Sequence, residues 1–211
     1  GAAERGTFIH QALERYLTEC PGAPPMDAYE RLLAHGRAAF GAALARPGVG
    51  AFWWPRFERI ARWFVAEQAR AAGEGNALAS EAAGRMEIAG PGGPFVLTAR
   101  ADRIDQRADG ALAIIDYKTG SVPGPSLVES GLEPQLPLEA AIAAAGGFEG
   151  VPAVAVAALE YWRLSGAEPP GERKALRGDP EALAEAALAG LSELIAVFDD
   201  PSTPYRPQPD P

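Results

Sequence analysis

Apolar residues recur at helical spacing over 3–19, where Phe8, Ala12 and Tyr16 form one stripe and Ile9, Leu13 and Leu17 the next. The pattern predicts an amphipathic helix stopped by Pro21-Gly22. A second helix is predicted over 27–46, with Asp27 as N-cap and Pro47-Gly48 as its end. A third runs over 54–72, with Pro55 in its first turn and Phe57, Ile60, Ala61, Phe64 and Val65 on one face. Past Gly73-Glu74-Gly75 the period changes to alternation. Segments 78–89, 94–105 and 111–118 read as an antiparallel meander, turning at Gly90-Pro91-Gly92-Gly93-Pro94 and at Asp109-Gly110. A Gly/Pro/Ser-rich loop over 120–134 leads to a helix over 135–145. The apolar run 151–163 then reads as a central strand. Asp179 and Pro180 open a last helix over 179–198, and 201–211, with five prolines, reads as an extended or disordered tail.

Helices at both ends of a block of strands define an α/β class, a mixed central sheet flanked by helices. With 47% apolar residues in 211, one core is expected over 1–200: helices in 3–72, the sheet in 78–163 and the helix 179–198. The chain opens on Gly1 and enters a helix at once, which reads as a domain excised from a parent with an N-terminal remainder. A single cysteine, Cys20, excludes a disulfide framework and a cysteine-held zinc or iron-sulfur site within the chain. Without a leader-like start or a spanning apolar stretch, a cytoplasmic protein with no membrane association is expected. A net charge of -9 argues against tight binding of a polyanion by Lys and Arg alone, but not against cleavage at a cation held by acids. The aromatic group Phe52, Trp53, Trp54, Phe57, Trp63 and Phe64 can stack on bases, although burial is the commoner use and is the reading taken here.

The sharpest chemistry lies in Ala113-Ile114-Ile115-Asp116-Tyr117-Lys118-Thr119-Gly120, an apolar strand ending in an acid and a lysine two positions apart. On a strand, Asp116 and Lys118 share a face while Tyr117 points away. The preceding strand supplies Asp102 and Asp105. Pairing across Asp109-Gly110 brings an acid towards Asp116, and crowded carboxylates call for a proton or a hard cation such as Mg2+ or Mn2+. The residues alone leave both aspartates open, because either can pair with Arg100, Arg103 or Arg107. Read alone, His10 is an ordinary helix residue and Gln135 an ordinary first-turn residue, while Glu81 and Glu87 can line the same cleft but are read as surface charge.

Taken together, Arg5-Gly6-Thr7-Phe8-Ile9-His10, the Asp102 strand, Asp116-Tyr117-Lys118-Thr119-Gly120 and Gln135-Leu136-Pro137-Leu138 resemble, in order and spacing, the RecB-like nucleases of the PD-(D/E)xK superfamily. Among these the chain is similar to the C-terminal nuclease domain of AddB, a subunit of AddAB helicase-nucleases, with a weaker likeness in the last helix and the Pro-Tyr-containing tail. The resemblance implies a restriction-endonuclease-like fold and Mg2+-dependent hydrolysis of DNA during double-strand break processing, with an AddA-like helicase-nuclease subunit as partner. It implies His10, Asp102, Asp116 and the Tyr117 carbonyl as metal ligands, Lys118 as the residue that positions the attacking water, and Gln135 beside the site. It selects Asp102 over Asp105. Glu139 stands where the family often has tyrosine, and no iron-sulfur cluster is expected. The competing readings are a catalytically silent scaffold of the same fold, and a CRISPR-associated or phage exonuclease of the superfamily.

Overall fold

The computed structural model describes residues 1–204. Its first layer is helical: α1 (Ala2–Glu19), α2 (Ala28–Phe40) and α3 (Trp54–Ala71). The predicted stripes bury Ile9, Ala12, Leu13, Tyr16 and Leu17 against Leu32, Phe40, Phe57, Ile60 and Phe64. The α2–α3 crossing depends on Gly36, where a Cβ would lie 2.1 Å from the Phe57 ring. Burial of the aromatic group is borne out for Phe57 and Phe64, which are in the core; Trp53, Trp54 and Trp63 pack partly buried against it. Phe52 is the exception, 71% exposed.

A mixed sheet of order β1-β2-β3-β4-β5 follows. Its strands are β1 (Gly75–Gly90), β2 (Gly93–Arg107), β3 (Leu112–Lys118), β4 (Val156–Arg163) and β5 (Glu172–Ala175). The meander β1–β2–β3 is antiparallel, β4 runs parallel to β3, and β5 closes the edge antiparallel to β4. The parallel step requires a crossover, which passes through α4 (Pro125–Glu129) and α5 (Gln135–Ala144). Together with α6 (Pro180–Asp199), α5 covers the second face of the sheet over Ile104, Ile114, Leu159 and Tyr161, while Ile115, Tyr117 and Trp162 face α1–α3. The result is an α/β architecture with the sheet between two helical layers.

Several predicted boundaries move for local reasons. The second helix ends at Phe40 rather than at 46, because Gly41 turns to a φ of 47° and a 3-10 turn, Gly41–Ala45, follows. Pro47-Gly48 starts helix instead of stopping it, running through the π-turn Val49–Trp53 into α3. Asp27 holds the N-cap position of α2 as read, but its carboxylate makes no cap bond and accepts from Arg31 Nε at 2.9 Å instead. Asp179 caps α6, accepting from the Ala182 N–H at 3.2 Å. The fourth strand starts at Val156 rather than 151, since Pro152 has no N–H to donate and its carbonyl closes a turn with the Val154 N–H. α4 lies in the segment read as loop, and β5 in the stretch 164–178, to which the sequence pattern assigns no element. The predicted tail is described only to Pro204, so its Pro-Tyr feature lies outside the described residues.

Candidate active site

The site sits where β2 and β3 part. They pair from Gln106↔Leu112 to Arg103↔Ile115 and no further, while the β1–β2 hairpin continues to Gly90↔Gly93. The next opposed positions are Asp102 and Asp116. Beyond the last ladder pair, Asp102 Oδ2 accepts the Tyr117 N–H at 2.7 Å, so a side chain takes over from the missing strand partner. The Tyr117 carbonyl is met by His10 Nε2 at 3.1 Å. α1 is held to the end of β3 by Arg5, whose Nη2 donates to Thr119 O at 3.2 Å. Gly6 permits this approach, because a Cβ there would come within 3.3 Å of Thr119 Oγ1.

His10 Nδ1 lies 3.2 Å from Asp102 Oδ1 and 3.6 Å from Glu81 Oε1. Burial pushes the imidazole pKa down, but hydrogen bonds and charge from Asp102 and Glu81 outweigh it and raise the value to about 10. Glu81 sits opposite Asp102 in the hairpin, between the pairs Ser80↔Arg103 and Ala82↔Ala101. Its φ of 50° makes it the only non-glycine residue at positive φ among the described residues. Placing a glutamate in the left-handed region costs about 1–2 kcal/mol, and opposing two carboxylates adds to that cost. Strain of this kind persists where surrounding structure imposes it. The surface reading of Glu81 is therefore corrected: its side chain is 16% exposed and points into the site. Glu87 is a surface charge as read, 63% exposed beside Arg85.

Asp116 and Lys118 share a face as the strand period requires, with Lys118 Nζ 2.9 Å from Asp116 Oδ2. Gln135, at the start of α5, completes the group: its Nε2 donates to Asp116 Oδ1 at 2.7 Å and its Oε1 accepts from Lys118 Nζ at 3.1 Å. A lysine only donates, so this contact fixes which end of the amide faces which neighbour. Burial, and then the charge of Asp102, raise the Asp116 pKa to about 6 against the opposing pull of Lys118 and His10. Glu139, one turn along α5, takes a hydrogen bond from Gln135 Nε2 at 3.1 Å and is 1% exposed; burial raises its pKa to about 8.

Of the residues singled out in the sequence, His10, Asp102 and the Tyr117 carbonyl converge, and Asp116, Lys118 and Gln135 form a second group beside them. One expectation changes in detail. The group of donors within 4.8 Å of one another is His10, Glu81 and Asp102, whereas Asp116 is turned towards Lys118 and Gln135. Asp105 does not belong to the site; Arg103 grips it with bonds of 2.5 and 2.8 Å on the other face of the sheet. Sequence reasoning raised Glu81 as a cleft acid but preferred the surface for it, because a strand residue at positive φ leaves no trace in an alternation pattern. Glu139 did leave one, as the lone acid in an otherwise apolar stretch of helix.

An imidazole, two carboxylates and a main-chain carbonyl are the hard N/O donors that divalent cations take. The site also has carboxylates for one: Glu81, Asp102 and Asp116 are met by His10 and Lys118, with Arg100 at 3.3 Å on the outer oxygen of Glu81. A groove of about 460 Å³, lined by Gly6, Gln11, Glu81 and Arg100 among others, opens over His10 and Asp102.

The family model of the PD-(D/E)XK nuclease superfamily matches residues 1–210, and the chain belongs to that superfamily. An uncharacterized protein of Rickettsia bellii (strain RML369-C) is 25% identical over 143 residues, 68% of this chain. The chain spans only 17% of that relative's length. Among solved structures, the crystal structure of SSO0001 aligns over 90% of this chain and 74% of its own, at 15% identity and a TM-score of 0.37. The AddB-type likeness is finer than any of these comparisons. Among the described residues no helix is long and apolar enough to cross a membrane.

Proposed function

We propose that this chain is the nuclease domain of a helicase-nuclease of the AddAB type, hydrolysing DNA phosphodiester bonds with a divalent cation, Mg2+ or Mn2+, while a partner subunit unwinds a broken end. The observation that carries the reading is the parting of β2 from β3, which gathers His10, Asp102, the Tyr117 carbonyl, Asp116 and Lys118 at one point. His10, Glu81, Asp102 and the Tyr117 carbonyl would hold the ion, with Asp116 at its margin. When bound, the ion supplies Lewis-acid stabilisation of charge on the phosphate and lowers the pKa of water.

The chain's own groups have separable tasks. Asp102 fixes the Tyr117 peptide through its N–H, so the carbonyl faces the site, and His10 closes on it from α1. Gln135 holds Asp116 and Lys118 in a fixed relation. The Lys118 ammonium is thereby aimed at the negative charge that gathers on the phosphate oxygens during hydrolysis, and it orients the water that attacks. With a net charge of -9 the domain holds DNA only weakly by itself, and the rest of its complex supplies most of the affinity.

The test is strand-resolved cleavage of end-labelled linear DNA by the intact complex, in Mg2+ and in EDTA, comparing wild type with Asp116→Ala while unwinding is followed separately. Loss of cutting on one strand with unwinding intact is expected. Unchanged cutting of both strands would make this domain a scaffold and move the chemistry to its partner.

A further inference from the structure

Three arginines hold a buried guanidinium nitrogen without a hydrogen-bond partner: Arg103, Arg107 and Arg163. Arg103 has Asp105 at 2.5 Å and Arg107 has Asp109 at 3.5 Å. Among the described residues the Arg163 side chain has no carboxylate partner and makes no hydrogen bond. Its cross-strand neighbour on β5, Glu172, is paired with Lys174 at 3.5 Å instead. A half-buried cation without a counter-charge is costly and is seldom kept without a use.

Its position indicates the use. Arg163 is the register partner of Lys118 on the parallel pair β3–β4, one step beyond Asp116↔Tyr161. Parallel register partners share a face, so Arg163 leaves the sheet on the same side as Lys118, whose ammonium lies 5.6 Å from the Tyr161 ring centroid. Only its Nε is enclosed, which leaves the outer nitrogens open to solvent and free to donate. From α1, Arg5 reaches the same end of β3 through Thr119 O, and it too has no carboxylate partner. Two unneutralised guanidiniums therefore flank Lys118-Thr119 at the rim of a site whose centre is strongly acidic.

We propose that Arg163, assisted by Arg5, binds a backbone phosphate of the nucleic acid next to the one at the metal-binding group, and so sets the strand's register in the site. The proposal rests on the nuclease reading. A guanidinium presents paired donors to a phosphate, which an ammonium does not, so arginine is the suited residue here.

The experiment is fluorescence anisotropy of the 211-residue chain with a labelled single-stranded oligonucleotide in EDTA, where no hydrolysis occurs, titrated across a range of salt. Arg163→Gln is expected to weaken binding about tenfold and to flatten the slope of log K against log salt by about 0.7, one phosphate contact on a single strand. Arg163→Lys is expected to restore the slope but only part of the affinity. Thermal unfolding of Arg163→Gln is expected to be unchanged or raised, because an unpaired half-buried charge has been removed; this excludes misfolding as the cause of weaker binding. Equal affinity and slope in wild type and Arg163→Gln, or no binding by wild type, would overturn the phosphate site. The nuclease reading stands or falls separately, on the Asp116→Ala cleavage test.

Discussion

Replacing Asp105 with alanine separates the two aspartates of β2 by their energetics. Arg103 is 2% exposed, and Asp105 supplies its hydrogen-bonded counter-charge at 2.5 and 2.8 Å. Its guanidinium otherwise lies against the Trp162 ring, 5.0 Å from the centroid, with Nη1 already unpartnered. Breaking a buried pair by removing one partner costs about 3–5 kcal/mol, since the other charge stays buried. For a domain of this size that is a fall in Tm of roughly 6–20 °C. Asp102→Asn keeps an oxygen for the Tyr117 N–H, and relief of repulsion with Glu81 offsets the loss of its charge beside His10, so its stability should stay within about 1 kcal/mol of wild type. Urea unfolding with a common m value measures both. The assignment of Asp105 to the core and Asp102 to the site fails if Asp105→Ala unfolds within about 1 kcal/mol of wild type, or if Asp102→Asn is the more damaging change.

Two further predictions concern the scaffold. Burial opposes ionisation of Glu160, but hydrogen bonds from Arg173 and Trp162 and the charge of Arg173 prevail and hold its pKa below the usual glutamate value. The folded state therefore releases this proton more readily than the unfolded chain. The stability it contributes is fully present above the ordinary glutamate range and is lost as pH falls through the folded pKa. Glu160→Gln should flatten the acid limb of a Tm-against-pH profile, and an identical limb would refute the assignment. Gly36→Ala gains about 0.5–1 kcal/mol of helix propensity, yet it forces a Cβ to within 2.1 Å of the Phe57 ring. Overpacking of about 1–3 kcal/mol should win and lower Tm; a raised Tm would show that α2 and α3 can separate without penalty.

The helical stripes were legible because amphipathic spacing is a local signal, and the Asp116–Lys118 pairing because the strand period alone puts both on one face. Asp102 and Asp105 could not be told apart from residue types. Their difference is set by where the β2–β3 ladder stops, leaving one aspartate to cap a freed N–H and the other inside the ladder beside Arg103. Glu81 could not be told from Glu87 for a related reason: its direction comes from an irregular backbone angle imposed by tertiary contacts. β5 was overlooked because its Glu172-Arg173-Lys174 run reads as solvated loop. In the fold Arg173 is tied to Glu67, Glu74 and Glu160 on three other segments, and no window of sequence displays that. The early end of the second helix and the late start of the fourth strand show how a positive-φ glycine or a proline overrides hydrophobic continuity.

If His10, Glu81 and Asp102 hold a divalent cation at the parting of β2 and β3, calorimetric titration of the 211-residue chain with Mn2+ will register it. Saturable binding by wild type is expected, lost in His10→Ala and Asp102→Ala and retained in Glu87→Gln, all confirmed as folded. No binding by wild type, or wild-type affinity in Asp102→Ala, would contradict it.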